Sequence, residues 1–233
     1  MNAGEGDLPR LVADLTAGRL TSGAPRDYVL LLQEAVEKDG DPTSTIGRVA
    51  SLGLSTFFVP VRDVGGRMRG NAILSTRLLD GPRAIPLPRE RQPRAAVAAT
   101  VVLAGARLAV VSVHLENRVS WLRGGPFSDR ARERQTAALL SALPPGLGIV
   151  GGDLNTWLGE KEPAWRMLEA RFPDLTAHIG LDATFRFGLT LDHVFFDLPD
   201  GWMATRQVLA DDYGSDHHPV LGVIHAAGGE PRP

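Results

Sequence analysis

Five apolar runs in this 233-residue chain each meet a carboxylate, an amide or an imidazole at one end. "YVLLL" runs into Gln33 and Glu34, "VVSV" into His114, and "GIVGG" into Asp153 and Asn155. "TLDHVFF" carries Asp192 and His193 near its start, and "PVLGVI" is preceded by Asp216, His217 and His218. Runs this short and this apolar read as strands covered on both faces. Leaving a charge unpaired in such a place costs several kcal/mol, so the chain must fold to bring these groups to partners, water or a cation. Each also has a local reading. Glu34 can open a solvated turn, His114 can be a core histidine, and Asp153 with Asn155 can form an Asx-turn. Asp192 can pair with an arginine, and Asp216 can cap a turn. All five local readings must hold together if the pattern carries no function.

The segments between these runs set the architecture. "DLPRLVADLTAGRL" reads as a helix with Asp7 as its N-cap, and a second helix is expected within "DPTSTIGRVASLGL". "STFFVPV", "GNAILST", "AAVAATVVLA" and "RLAVVSVHLE" read as strands, the last two joined by a hairpin at Gly105. "SDRARERQTAALLSAL" is the clearest helix, with Thr136, Leu139, Leu140 and Leu143 at i, i+3, i+4 and i+7. "EPAWRMLEARF" reads as a helix, and "ATRQVLA" as a strand. Many strands with hairpin-like connections and few helices predict one α/β domain of two packed, mainly antiparallel sheets flanked by helices, not a doubly wound parallel sheet. With 43% hydrophobic and 22% charged residues the chain can bury such a core. The domain is expected over residues 1–225, with 226–233 a frayed tail.

The residue types narrow the chemistry. Cysteine is absent, which excludes disulfides, thiolate metal sites and cysteine nucleophiles. Asp153 and Asn155, two apart, share one face of an extended chain, with Leu154 turned to the core behind them. A carboxylate and an amide side by side suit a hard cation and a phosphate oxygen, which favours Mg²⁺, Mn²⁺ or Ca²⁺. The histidines lack the helical i, i+4 spacing of a zinc protease, and "GGRMRG" lacks the Lys-Ser/Thr ending of a nucleotide loop. Net charge is -2, so no overall basic field advertises nucleic acid or membrane. Eight arginines nevertheless fall between residues 62 and 94, either a phosphate-binding face or a solvated one. No apolar run is long enough to span a bilayer.

In order, "LLLQEA", "GNAILST", "VVSVHLE", "GGDLN", "LDHVFF" and "GSDHHPV" resemble the motifs of the endonuclease/exonuclease/phosphatase superfamily of metal-dependent phosphoesterases. The resemblance implies a four-layer sandwich and a hydrolase dependent on Mg²⁺, with Mn²⁺ possible. It implies Glu34 and Asp216 as metal residues, and His114, Asp153, Asn155, Asp192 and His217 as catalytic residues. Asp153 would orient the attacking water, and His217, paired with Asp192, would exchange protons. Asn71, Asn155 and His114 would contact substrate, while His218 faces away. The implied substrate is a phosphodiester, nucleic acid included, with nuclease chemistry favoured. The alternatives are an inositol phosphate, a sphingomyelin-like lipid, or a binding protein that keeps the fold.

This sequence departs from the family in three ways. The family's opening strand carries an Asn beside the metal, yet almost no chain precedes the first helix. Either Asn2 takes that place on a shortened strand, or the strand lies upstream of Met1, which is the expectation adopted here. "QEAV" and "LDHVF" differ from the abasic-site endonuclease branch and lower it. The loop "NRVSWLRGGPFSDR" offers Trp121, Leu122 and Phe127 for base stacking, lipid contact or packing over a sheet edge, with packing the default.

Overall fold

A computed structural model describes residues 6–117, 128–174, 183–185 and 188–227. The first sheet joins β1 (Val29–Glu37), β2 (Ser55–Asp63) and β3 (Met68–Ser75) in the order β1-β3-β2, antiparallel throughout. The second takes β4 (Asp80–Leu87), β5 (Arg94–Leu103), β6 (Ala106–His114), β7 (Gly148–Asp153) and β8 (Asp192–Asp197) in sequence order. Only β6 and β7 run parallel in it, because helix α3 (Asp129–Ala142) lies in the crossover between them. A separate pair, β9 (Met203–Val208) and β10 (Val220–His225), closes the described chain.

The layers follow from the alternation of side chains along the strands. In β5, Val97, Ala99 and Val101 point inward with Ile73 of β3 and Val110 of β6 and form the core between the sheets. Ala96 and Ala98 point the other way, onto Leu139 of α3 and Trp165 and Leu168 of α4 (Pro163–Arg171). On the far side, Leu8 and Val12 of α1 (Leu8–Thr16) and Val49 of α2 (Thr45–Ala50) cover Leu32, Ala72 and Leu74. The result is helix, sheet, sheet, helix, the sandwich read from the sequence. Asp7 caps α1 by accepting from the Arg10 N–H at 3.1 Å, and Ala104 and Gly105, both at positive φ, make the two-residue β5–β6 hairpin turn.

β4 has no counterpart in the sequence reading. Its sequence, DGPRAIPL, holds two prolines and is exposed at most positions, which a strand tolerates only at a sheet edge. β4 is that edge. The Arg-rich stretch 62–94 is therefore largely strand, from the end of β2 to the start of β5.

A cavity of about 1320 Å³ lies between β1 and β10. Consecutive residues 29–33 and 220–224 line it, so both strands turn an edge toward it and not a face. β10 is half-buried at most positions as a result. Asn2 and the residues of the loop at 118–127, Trp121, Leu122 and Phe127 among them, lie outside the described residues, as does 228–233 of the expected tail.

Candidate active site

Strand register assembles the site. β6 pairs His114 with Asp153 of β7, and β7 pairs Asp153 with Asp192 of β8, so three neighbouring strand ends present their polar groups in one row. Gly152 makes this possible. Its φ is 147°, and a Cβ there would lie 2.0 Å from the Val113 carbonyl and 2.9 Å from Gln33 Nε2. Gln33 uses that space to donate to Ser112 Oγ at 2.9 Å, while Ser112 Oγ donates to the Leu32 carbonyl at 2.9 Å. These bonds stitch β1 onto β6 across the core.

Glu34 follows at φ 55°, where the β1–β3 register shifts between Leu32 and Ala35. A bulge at this point turns its side chain out of the regular alternation, and its charge acts on Arg94. From the other side, His217 Nδ1 donates to Asp192 Oδ2 at 2.6 Å, and the Phe185 ring packs 4.6 Å from the imidazole. Thr184 ties the segment of Asp192 to the residue that follows His217. Its hydroxyl accepts from Leu191 N and Asp192 N, and its carbonyl accepts from His218 N at 2.8 Å. His218 itself turns away, its Nδ1 3.0 Å from the Leu209 carbonyl.

Asp153, Asp192 and His217 each offer a ligand atom within 4.8 Å of the others. His114 Nε2 lies 3.3 Å from Asp153 Oδ2. Glu34 and Asp216, the residues expected to hold the ion, are not members of this three-residue group. Asn155 is beside it, but not by extended-strand alternation. β7 ends at Asp153, whose Oδ1 accepts from Asn155 N at 3.0 Å, and Asn155 sits at φ 51° with its amide donating to the Leu115 carbonyl at 3.3 Å. The Asx-turn reading of this pair is the local geometry, and it coexists with the site. Leu154 points to the core between them. Asn71 is buried and donates to the Ala95 carbonyl at 2.8 Å, joining β3 to β5.

The electrostatics follow from burial and crowding. Burial, then the charge of Asp192, raises Asp153 to about 7, against the pull of His217 and the Asn155 N–H. Burial opposes a charged His217, but the hydrogen bond and charge of Asp192 and the charge of Asp153 prevail, and its pKa is raised. Burial and the Arg94 charge hold His114 well below the usual histidine value, so it is neutral. Beyond burial, the Asp192 charge raises Asp153 because the two carboxylates crowd each other beside one imidazole, and such an oxygen-rich donor set fits a hard divalent cation.

Arg94 was not singled out as a site residue. Burial lowers its pKa against the attraction of Glu116, Asp153 and Glu34. Its only sequence signal is membership of the arginine-rich stretch, where nothing distinguishes it from its neighbours. The buried Arg132–Glu162 pair was also missed, since an arginine on a helix reads as solvent-facing.

The family model for the Endonuclease/Exonuclease/phosphatase family matches residues 2–217. No curated protein matches by sequence. Among solved structures, a functionally unknown conserved protein from Enterococcus faecalis V583 aligns with a TM-score of 0.68 at 19% identity, over 92% of this chain and 89% of that one. The human Nocturnin catalytic domain with bound sulfate aligns at 0.64 and 18% identity, over 96% and 89%. Beta toxin from Staphylococcus aureus with bound magnesium ions aligns at 0.63 and 15% identity, over 95% and 97%. At these identities the structural likeness establishes the fold.

Proposed function

Because the chain belongs to the endonuclease/exonuclease/phosphatase family, we propose that it hydrolyses phosphodiesters at the Asp153, Asp192 and His217 group, with nuclease-type substrates favoured and Mg²⁺ or Mn²⁺ as its ion. The observation that carries this reading is the convergence of those three side chains, from two strand ends and the turn before β10, within 4.8 Å. In the reaction a water oxygen bonds to phosphorus while the ester P–O bond opposite it breaks, and the leaving oxygen takes up a proton. Asp153 orients the water and accepts its proton. His217, held in one tautomer by Asp192, exchanges a proton with the reacting phosphoryl group. His114 and Asn155 donate to phosphoryl oxygens, and buried Asn71 holds the β5 end from which substrate is approached. The ion would be held at this group through the Asp153 carboxylate, with Glu34 and Asp216, which stand outside the three-residue group, as the further ligands that the family resemblance implies. When bound, the ion neutralises charge on the phosphoryl oxygens.

A panel of DNA, RNA, abasic DNA, sphingomyelin and inositol phosphates, with Mg²⁺ or with chelator, tests the reading. Cleavage of a diester is expected only with the ion, and Asp153→Asn and His217→Ala should each lower kcat by about 10²–10⁴ while leaving the unfolding transition in place. Free phosphate released from inositol phosphates alone would identify a monoesterase instead. No cleavage of any member by the folded chain ends the hydrolase reading.

A further inference from the structure

The eight arginines between residues 62 and 94 divide by place. Arg77 pairs with Asp27, and Arg83 donates to the Ala142 carbonyl. Among the described residues the other six, Arg62, Arg67, Arg69, Arg89, Arg91 and Arg94, make no side-chain hydrogen bond or ion pair. Elsewhere in the fold Arg10, Arg19, Arg107, Arg132, Arg134 and Arg171 each reach a carboxylate. The six without partners lie in or beside the β2–β3 and β4–β5 turns, at the end of the sandwich where the candidate site sits.

Three of them form a row leading into that site. Arg62 and Arg69 stand directly opposite each other across β2 and β3, although like charges so placed repel. Arg69 also faces Val36 of β1, two residues beyond Glu34. Arg94 opens β5, and the register of Val97 with Ser112 brings that end level with the point where His114 leaves β6. The Asn71 bond to the Ala95 carbonyl joins the two strands between Arg69 and Arg94, two residues along β3 from Arg69 and one along β5 from Arg94. The Nε atoms of Arg69 and Arg94 are buried and meet no acceptor, and the charge of Arg62 bears unfavourably on Arg94. Buried guanidinium groups ordinarily find carboxylate or phosphate oxygens. This row has none.

We propose that Arg62, Arg69 and Arg94 form a subsite for a second phosphate of the substrate, the one neighbouring the scissile group along a polynucleotide chain. The subsite rests on the phosphodiesterase reading for its placement beside a scissile group. It selects substrates with phosphates in series over a diester that carries only one.

The test uses the full chain and a short fluorescein-labelled oligothymidylate, with binding followed by anisotropy against salt in the presence of chelator. Arg62→Gln and Arg69→Gln should each flatten the slope of log K against log salt by about 0.7 per lost phosphate contact on a single strand, and Arg69→Lys should largely restore it. In turnover with Mg²⁺, the ratio of kcat/KM for the oligonucleotide to that for bis-p-nitrophenyl phosphate should fall roughly tenfold in either Gln variant. An unchanged slope and ratio in folded Gln variants overturns the subsite, even where the diester is still cleaved. So does inositol hexakisphosphate displacing the oligonucleotide at lower concentration than unlabelled oligonucleotide does, since a compact polyphosphate would then be the better fit. A flattened slope with no cleavage of either substrate supports the subsite and counts against the hydrolase reading.

Discussion

His114, His193 and His217 lie at or near the site-bearing strand ends, and their surroundings set His217 apart from the other two rings in charge. Asp192 holds His217 toward the protonated form, while burial keeps His114 neutral. His193 faces the opposite side of β8, where its Nε2 donates to the Thr190 carbonyl at 3.1 Å and the Trp165 ring packs edge-on at 4.3 Å. Burial lowers its pKa from 6.5 to about 3. A histidine held neutral in the fold but free to charge when unfolded makes the unfolded chain bind more protons below pH 6.5, so stability falls as pH drops from there toward 3. At pH 5 the loss due to His193 is about 2 kcal/mol. Urea unfolding at pH 7 and pH 5 should show it, and His193→Gln should remove that part of the slope while leaving the part due to His114. An identical slope in the variant would remove His193 from the account. Asp153, Asp192 and His217 were legible in the sequence because a charge at the end of an apolar run needs an explanation. His193 was not, because nothing in "LDHV" says which neighbour turns inward until the strand has a partner on each side. Asn155 lies beside Asp153 through the Asx-turn and not through strand alternation, which stops where that turn begins.

At the scale of elements, the loops that carry the site are tied together by one buried ion pair. Arg132 of α3 donates to both carboxylate oxygens of Glu162, at 2.6 and 2.8 Å, and both side chains are 0% exposed. Arg132 also donates to the Glu116 carbonyl, Glu162 accepts from Leu158 N, and Gln135 accepts from Glu116 N. The segments following His114 and Asp153 are therefore clamped to the same helix. Removing one partner leaves a buried charge uncompensated, so Glu162→Gln should cost about 3–5 kcal/mol in denaturant unfolding. Activity should fall with it, as both loops loosen. A loss below 1 kcal/mol, roughly the worth of a surface pair, would show that the clamp does not hold them. Sequence periodicity located α3 but not this role, since the polar face of a helix looks the same whether water or a loop covers it. β4 stayed hidden for a related reason. Its prolines argue against a strand in general and permit one only at an edge, and which strand is an edge is a property of the finished sheet.

The whole molecule turns a scattered sequence pattern into one chemical surface. Helices cover the outer face of each sheet, the apolar faces between the sheets bury one another, and the ends of β1, β6, β7 and β8 are left to carry charge. The order of strands in the second sheet sets His114, Asp153 and Asp192 side by side, and the turn before β10 brings His217 onto them. The cavity between β1 and β10 reaches this place, for Asp192 and His217 are among its lining residues. That β10 keeps its edge open to a cavity could not be read from "PVLGVI", which looks like any buried strand. The central claim is that these side chains act as one site, and groups that act as a unit lose function non-additively. Diester cleavage with Mg²⁺ should therefore be compared for the unaltered chain, Asp192→Asn, His217→Ala and the double variant. The double variant should be no slower than His217→Ala alone, because Asp192 works through that imidazole. Losses that multiply, or a double variant that still cleaves at the unaltered rate, would mean that the two side chains do not share one catalytic task.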